Sequence, residues 1–580
     1  MLSETWIRAM TCFALWAATA LAPAPAAAQT FAARTAVPDA PCRSGDHPET
    51  DLQGRIPPLD LIGGIGNPEM FQPYTCNLDL VGRFAAPGGG TLDSFGNCAY
   101  YGRLVGAFGT QVLDVSDPSN PVSTATLDTP AMQDPWESLR VNQKRQLLVA
   151  DSNFNGYLDI YDVSGDCRHP RLLSSTDMSP AQGHEGWFSP DGLTYYMSRT
   201  GPTGTPTLFP VDISDPAKPR RLASWALATQ THGGFTTEDG KTSYVCEQQV
   251  PPMDALDVMD TSDIADRSAD PQPVVRTHIG LQDNQWCQSA LRVTYNGRPF
   301  LIQYGERSGA ADCSRVDDNW ASFGYPRFYD LANERAPKLV GTALLESALP
   351  QYCSDVTGEG AFNGLGYSVH QCSVDRLYDP TILACSYFFA GMRVMDIRDP
   401  THPVEIAYYN PGVGAIVGTA PRPVVRAEQR EIWFANDTTG FYVVRFAKGT
   451  WPFAGSARCP EFDDYYYAQY NPGSSCRTAN LDGIGKPAPG SAPPAKQCRT
   501  ARRVTVHLRT PKHFVVTKVV AVVGGRVVKT RRGHARSLRV SFKGLPAGRN
   551  RVVLRITGHR RGHTRRTVID RRTFRLCAPH

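Results

Sequence analysis

A short segment with the pattern of a strand, a tight turn and a second strand recurs along most of the chain. In its clearest copy, residues 211–219 read VDISDPAKP. Val211 and Ile213 alternate with polar neighbours, which is the period of a half-buried strand. Asp215 can accept a hydrogen bond from a following backbone N–H and so provides turn chemistry. A second strand is then expected over residues 221–225, at the edge of a sheet because the proline before it cannot donate a hydrogen bond.

Six further copies align on the residue that ends the first strand. They are the segments 113–121, 160–164, 258–263, 328–331, 394–403 and 441–446, of which the last is degenerate. The marker residues are 114, 162, 212, 260, 330, 396 and 445, with spacings of 48, 50, 48, 70, 66 and 49. A spacing near fifty with strand-only content is typical of propeller blades, each a four-stranded sheet. The sequence therefore predicts an all-β fold with a seven-bladed β-propeller.

The ends of the repeat region predict how the propeller closes. The seventh unit ends near Lys448 without a strand after its turn. Residues 76–85 resemble the strands that follow the turn in other units but have no hairpin of their own. We expect this early strand to complete the last blade and to lie beside Val444, because a closed ring leaves no exposed sheet edge. A linear solenoid would instead need polar caps at both ends.

The motif at 211–219 and its copies resemble the LVIVD-repeat β-propellers, which are extracellular proteins of bacteria and archaea. The resemblance covers roughly residues 76–448 and rests on the Asp-Pro turn and the proline after it. It implies the propeller fold and a secreted setting. It implies no reaction, so no catalytic residue is carried over.

The N-terminal segment has the features of an export signal. Residues 12–21 are apolar but too short to span a bilayer, and an alanine triplet before Gln29 forms a cleavage site. We expect residues 1–28 to be a signal peptide and residues 29–75 an irregular segment of a secreted or envelope-associated protein that is not transmembrane. Residues 449–497 are expected to be a connector that ends in a Pro/Gly-rich linker.

Cysteine content agrees with export. The chain has 15 cysteines, and removal of the signal peptide leaves an even number, which favours disulfides. We expect Cys498 to pair with Cys577 and Cys459 with Cys476. Five further cysteines are expected to form disulfides that hold the insertions of the two long units, and the sequence does not decide how they pair: Cys287, Cys313, Cys353, Cys372 and Cys385.

Residues 498–580 have the pattern of a small immunoglobulin- or fibronectin-like β-sandwich. They hold 23 Lys and Arg residues against one acid, Asp570, whereas the whole chain has a net charge of only +5. The strands are expected at 503–508, 515–523, 526–529, 537–542, 551–557 and 565–576.

This charge asymmetry has two interpretations. The domain binds a polyanion, such as an anionic cell-wall polymer, a lipid surface or extracellular nucleic acid, or it is a well-solvated sandwich that docks on its own propeller. The sequence contains no recognition helix, aromatic RNA-binding pattern or zinc-finger spacing, which argues against sequence-specific nucleic-acid binding.

Three histidines are candidate metal ligands. His184 and His232 each precede the glycine of an Asp-Gly turn by eight positions, and His370 has a comparable place in the sixth unit. The starts of innermost strands line the channel of a propeller, so the three imidazoles could converge on a divalent metal, joined by Glu185. Alternatively, a histidine that recurs at one place in a repeat serves packing or hydrogen bonding.

Two other features of the sequence bear on its chemistry. Residues 151–162 match the spacing of a calcium-binding loop, but Asn155 and Gly156 occupy the place of a blade hairpin turn, and no helices flank them. The sequence also contains no serine-hydrolase, zinc-protease or phosphate-loop motif.

The favoured hypothesis is an exported, non-enzymatic protein whose propeller rim binds a protein or glycan and whose basic domain holds it to an anionic envelope. The alternative is a metal-dependent hydrolase or lyase with His184, His232 and His370 in the channel.

Overall fold

A computed structural model describes most of the chain, which divides into two compact units, Met1–Gly485 and Lys486–His580. The signal peptide, most of the connector and the expected pairs Cys498–Cys577 and Cys459–Cys476 lie outside the described residues. The described residues are 35–57, 71–86, 88–102, 109–152, 154–199, 205–227, 230–248, 255–281, 286–306, 321, 323–356, 365–412, 418–451, 503–508, 514–523, 526–543, 548–559 and 566–576.

The described part of the first unit consists of seven antiparallel sheets that follow one another along the chain, with strands numbered in chain order. The first four sheets are β3 (Thr91–Phe95), β4 (Cys98–Gly102), β5 (Thr110–Asp114) and β6 (Val122–Leu127); β7 (Arg140–Asn142), β8 (Leu147–Asp151), β9 (Tyr157–Asp162) and β10 (Arg171–Asp177); β11 (Glu185–Phe188), β12 (Thr194–Ser198), β13 (Leu208–Asp212) and β14 (Arg220–Arg221); and β15 (Gln230–Thr236), β16 (Thr242–Gln248), β17 (Ala255–Asp260) and β18 (Val274–Gly280).

The remaining three sheets include two strands from the start of the chain. They are β19 (Trp286–Tyr295), β20 (Arg298–Glu306), β21 (Arg327–Asp330) and β22 (Lys338–Thr342); β23 (Val369–Val374), β24 (Ile382–Tyr387), β25 (Gly391–Asp396), β26 (Val404–Asn410) and β1 (Tyr74–Cys76); and β27 (Val424–Arg426), β28 (Glu431–Asn436), β29 (Gly440–Phe446) and β2 (Leu78–Phe84). Short helical turns lie at Ser262–Ala265, Glu346–Ala348, Pro350–Tyr352 and Cys353–Val356.

The early strand β2 pairs with the last strand of the repeat region. Leu80 lies opposite Val444 in the antiparallel ladder between β2 and β29. The strand before it, β1, pairs with β26 and places Thr75 opposite Tyr409. The expectation that the chain is irregular up to residue 75 is therefore wrong at its end, because the backbone of β1 is hydrogen-bonded into the sixth sheet.

The turn of the repeat has the hydrogen bonds that its sequence predicts. Asp212 Oδ1 accepts from the backbone N–H of Ser214 at 3.0 Å, and Asp215 Oδ1 accepts from that of Ala217 at 3.1 Å. These bonds from side chain to backbone compete with strand continuation and so end each strand at the marker. The bond at the marker also occurs at Asp114, Asp162, Asp260, Asp330 and Asp396.

The turn of one sheet also contacts the outer strand of the sheet before it. Ser174 Oγ in β10 donates to the carbonyl of Pro216 at 2.6 Å. At Gly82 in β2, an added Cβ would overlap the carbonyl oxygen of Pro118 in the turn after β5. The turn after β5 in the first sheet therefore lies against β2, the outer strand of the last sheet.

Apolar side chains fill the space between sheets that neighbour each other in sequence. The cluster between the second and third sheets contains Leu147 and Phe188, for example. A further cluster combines Leu92 and Ala99 of the first sheet with Trp433 of the last. Two β-sheets packed face to face bury the apolar face that neither can bury alone, which is the main stabilising term here.

Two details differ from the sequence-based expectations. The strand expected at 221–225 is limited to β14, with an isolated bridge between Leu208 and Trp225. The disulfide between Cys372 and Cys385 also does not hold an insertion in place, because it joins two adjacent strands of one sheet. The other pairs among the described residues are Cys42–Cys76, Cys98–Cys167 and Cys246–Cys287.

The second unit has two antiparallel sheets in its described residues. They are β30 (Arg503–His507) with β33 (Ser537–Ser541), and β31 (Val515–Val523), β32 (Arg526–Arg532), β34 (Gly548–His559) and β35 (Arg566–Leu576) in the order β32-β31-β34-β35. The sheets share one apolar core that includes Val506, Val519, Val540 and Leu554. Six strands thus occur where the alternating pattern predicts them.

Candidate metal centre

The three candidate histidines lie together in the first unit. His184 directly precedes β11, His232 lies in β15 and His370 lies in β23, so each lies in or just before the first strand of a different sheet. The rings of His184 and His232 have centroids 4.7 Å apart. His232 and His370 are buried, with 1% and 4% of their surface exposed. The structure therefore brings together residues that are far apart in sequence.

All three imidazoles turn Nε2 toward one carboxylate, that of Glu137. The distances from Nε2 to the nearest Glu137 oxygen are 3.6 Å for His184, 4.0 Å for His232 and 3.0 Å for His370. Ligand atoms of Glu137, His184 and His232 lie within 4.8 Å of one another. This group of two imidazole nitrogens and a carboxylate, with the third imidazole of His370 against the same carboxylate, offers donor types that suit a transition metal.

Glu137 is held in the centre by its backbone. Its N–H donates to the carbonyl of His184 at 3.1 Å, just before β7. The preceding residue, Trp136, has a φ of 45°, in the left-handed region that is unfavourable for a bulky side chain. Such backbone strain persists only where surrounding contacts enforce it and is concentrated at functional sites.

The opposite nitrogens of two rings are held by acceptors. Nδ1 of His370 lies 2.8 Å from the carbonyl oxygen of Ala420, and Nδ1 of His232 lies 3.0 Å from that of Gln288. A carbonyl can only accept, so Nδ1 donates the proton in both rings. This leaves Nε2 of both rings facing Glu137, and an acceptor on Nδ1 is also the means by which proteins orient metal-binding histidines.

Glu185 supports this cluster and does not face its centre. Its Oε2 lies 3.1 Å from Nδ1 of His232, the nitrogen that points away from Glu137. Arg140 Nη2 donates to its Oε1 at 3.2 Å, and Arg422 Nη2 lies 3.5 Å from the same oxygen. A Cβ on Gly233 would overlap Oε2, so glycine after His232 gives Glu185 its place. The contacts of Glu185 thus lie on the Nδ1 side of His232, where a carboxylate orients the ring.

The electrostatics of the centre favour a cation between nitrogen and carboxylate. Burial raises the pKa of Glu137, but the charge of His370 and the hydrogen bonds of His184 and His370 outweigh it and hold this pKa well below its usual range. Burial opposes the charged form of His370, yet the charge of Glu137 raises the pKa of His370 to about 9. Burial lowers the pKa of His184. A proton and a metal ion are alternative cations for this position.

Several residues of the centre were missed by sequence reasoning. Glu137 precedes its marker Asp162 by 25 positions, whereas the three histidines precede theirs by 26 to 28, so aligning the units on the marker would have found it. The neighbours Gln288, Glu306 and Gln371 gave no such signal. Gln371 Nε2 donates to Glu137 Oε2 at 3.1 Å, and Glu306 Oε2 lies 3.9 Å from His370 Nε2.

The calcium-loop pattern at 151–162 is part of a hairpin. Strands β8 and β9 pair directly, with Asp151 opposite Leu158. Gly156 has a φ of 73°, as a turn glycine does. Asp159 Oδ2 accepts from the backbone N–H groups of Ala131 and Met132, so this potential ligand is used in the fold. The hairpin interpretation is confirmed.

Comparison with known families identifies the repeat. Residues 105–129, which contain the turn at the first marker, match the family model of the LVIVD repeat. The chain carries an LVIVD repeat. Together with the series of four-stranded antiparallel sheets, this supports an LVIVD β-propeller. No curated protein matches the chain.

The chain is also similar to solved structures at low identity. Hydrazine synthase of Kuenenia stuttgartiensis has 12% identity and a TM-score of 0.43, over 64% of this chain and 97% of that one. The β-propeller domain of Cps50 (Swd1) from Myceliophteria thermophila has 11% identity and a TM-score of 0.40, over 63% and 98%. A functionally unknown protein from Desulfotomaculum acetoxidans has 10% identity and a TM-score of 0.39, over 56% and 86%. Likenesses with TM-scores below 0.5 carry no information about ligand or reaction.

In the described residues, no helix is both long and apolar enough to cross a membrane.

Proposed function

We propose that the first unit is a metal-binding propeller whose centre is formed by Glu137, His184, His232 and His370. The observation that carries this proposal is the convergence of three Nε2 atoms on one buried carboxylate, with Nδ1 of two rings already donating to carbonyls. A purely structural histidine needs no such common target. Nitrogen and carboxylate donors without thiolate suit a divalent first-row metal such as zinc, copper or manganese.

The reaction class that fits this donor set is metal-dependent hydrolysis or elimination. A bound divalent ion supplies a Lewis acid and lowers the pKa of a coordinated water molecule toward neutrality. The residues around it are buried and hydrogen-bonded to one another, and such preorganised groups limit the reorganisation that a reaction must overcome. The protein is then an enzyme, in contrast to the non-enzymatic role that the sequence favours.

Metal content tests this proposal directly. The full chain, purified without chelator, is expected to contain about one divalent ion, or to gain thermal stability when zinc, copper or manganese is added. The double variant His184→Ala/His370→Ala should lose this response. A matched control, His169→Ala/His402→Ala, changes two exposed histidines and should retain it. Wild-type protein without metal and without any thermal shift would exclude the centre.

We further propose that the sheets close into a seven-bladed ring, with β2 as the strand that completes it. The register of Leu80 opposite Val444 and the apolar cluster between Leu92 and Trp433 support this. In the double variant Asp79→Cys/Arg445→Cys, whose positions face each other in the ladder, oxidation should form an intramolecular disulfide. Asp79→Cys/Lys338→Cys places the second thiol in another sheet and is the control. Only intermolecular crosslinks in the first variant would contradict closure.

A second candidate function is retention of an exported scaffold at an anionic envelope, with a protein or glycan at the propeller rim. The disulfides are compatible with an extracellular protein. The composition of residues 498–580 supports the retention, because 23 cations and one acid give a strongly attractive surface for polyanions. We assign the unit an immunoglobulin- or fibronectin-like sandwich on the basis of its two sheets with a shared core.

Export is tested by the N-terminus of the mature protein. We propose cleavage after residue 28, so that mass spectrometry of protein from the culture medium or envelope fraction should find Gln29 or its cyclised form first. Protein that keeps Met1 and stays inside the cell would contradict the secreted role.

A further inference from the structure

The cations of the second unit lie on opposite faces of its sandwich. In β30 and β33, Val506 and Val540 point into the core, whereas Arg503 and Arg539 are exposed on the outer face. The ladder places Thr505 opposite Arg539, so these two arginines are diagonal neighbours on one face.

The four-stranded sheet repeats this arrangement on the other side. In β31 and β34, Val519 and Leu554 point into the core, whereas Lys518 and Arg555 are exposed. Val520 lies opposite Arg555, so Lys518 and Arg555 are also diagonal neighbours. Because both sheets turn their apolar face toward one core, these two pairs point in opposite directions.

The edge strand continues the positive surface between the two faces. Lys529, Arg531 and Arg532 of β32 are exposed, and so are Arg536 and Arg539 in the segment that follows. The cations therefore lie on both faces and along the β32 edge of the described part of the unit and are not confined to a single side.

We propose that the second unit binds a flexible, linear phosphate polymer that wraps around it and contacts both faces. This inference rests on the proposed retention at an anionic envelope and specifies its ligand. A planar bilayer can contact only one face of the sandwich at a time, so it leaves the opposite cations without a partner. A linear polymer follows the edge strand from one face to the other, and each phosphate contact releases counterions.

Two matched double variants of the full chain test the wrapping. Arg503→Gln/Arg539→Gln neutralises one face and Lys518→Gln/Arg555→Gln neutralises the other. With long-chain inorganic polyphosphate as the probe, each variant should bind about 25-fold more weakly at 0.1 M salt, from a loss of about fivefold per contact. The slope of log affinity against log salt should become shallower by about 1.4 in each. Arg171→Gln/Arg220→Gln, which removes two exposed cations of the first unit, should bind like wild type.

The outcomes separate this inference from the proposed function. Two results together support wrapping. Both face variants lose a similar amount of affinity for polyphosphate, and the binding of tripolyphosphate responds much less to salt than the binding of the long chain. Loss in one variant only, with stronger binding to phosphatidylglycerol vesicles than to polyphosphate, overturns wrapping but leaves retention intact. If the wild-type chain binds neither probe at low salt, retention itself fails.

Discussion

The Nε2 atom of His370 lies 3.0 Å from Oε1 of Glu137, although 233 positions separate the two residues in the chain. Glu137 comes just before the first strand of the second sheet and His370 lies in the first strand of the sixth, so the contact depends on how the sheets assemble. The contact exists because the first strands of successive sheets are neighbours, so that residues at their starts share one space. In this space two further histidines approach the same carboxylate.

The variant Glu137→Gln should lose the bound metal. It keeps the size and one oxygen of the side chain but removes the negative charge on which three imidazoles converge. The loss of affinity should exceed the roughly 10–100-fold effect of changing an outer-shell residue. Titration with zinc followed by calorimetry measures it. Glu428→Gln, at an exposed position, is the control and should bind like wild type; unchanged affinity in Glu137→Gln would contradict the assignment.

The variant Glu185→Gln should weaken metal binding without abolishing it. Glu185 accepts from Nδ1 of His232 and thereby orients the ring, but it does not face Glu137. We expect one ion per chain with about 10–100-fold lower affinity and an altered visible spectrum of the cobalt form. Glu185→Asp should recover part of the affinity. An unaltered cobalt spectrum together with full affinity would assign Glu185 a role in packing alone.

The variant Gly82→Ala should destabilise the first unit. Its new Cβ would overlap the carbonyl oxygen of Pro118, where the outer strand of the last sheet meets the turn of the first. Overpacking of this kind costs about 1–3 kcal/mol in the free energy of unfolding. Gly165→Ala has open space around its Cβ and is the matched control. Urea unfolding of both variants provides the comparison, and equal midpoints would argue against the contact.

A buried triad predicts a pH dependence of stability. Arg393 contacts both Glu405 and Glu49, and the N-terminal segment is thereby tied to β25 and β26. Burial raises the pKa of Glu49 to about 7 from 4.5. The folded state therefore holds a proton that the unfolded state releases, so this group stabilises the fold at low pH and loses its contribution as the pH rises from about 4.5 to 7.

Its test compares two pH profiles of unfolding. Replacement of Glu49 by Gln should reduce the decline in unfolding free energy over this interval by up to roughly 1.4 kcal/mol per pH unit, the value for one proton. Glu428→Gln should keep the wild-type profile. Parallel profiles for Glu49→Gln and wild type would show that Glu49 does not carry the proton.

The sequence predicts the local parts of this structure well. The alternation around Val211 and the turn at Asp215 predict the hairpins, because these patterns are satisfied within a few residues. The shared repeat position of His184 and His232 predicts their proximity. Gln288 and Gln371 could not be found, because a single polar residue in a strand shows its role only when sheets come together.

Two further features that the sequence does not predict, the position of Glu137 and the pairing of β1, have the same physical origin. Glu137 comes close to the repeat position of the histidines but is a different residue type, and contacts with other sheets place its carboxylate among their rings. The pairing of β1 with the sixth sheet depends on a partner more than 300 residues away, at Asn410. Contacts of this kind are fixed by the assembled sheets and not by the segment itself.

X-ray absorption at the zinc edge, on the full chain loaded with one equivalent of zinc, tests the metal centre most directly. The geometry predicts three imidazole nitrogens and at least one oxygen at about 2.0–2.1 Å from the ion. The imidazole contribution should be lost in His184→Ala/His370→Ala and preserved in His169→Ala/His402→Ala. A spectrum with only oxygen ligands, or with no more than one imidazole, would contradict the centre formed by Glu137 and the three histidines.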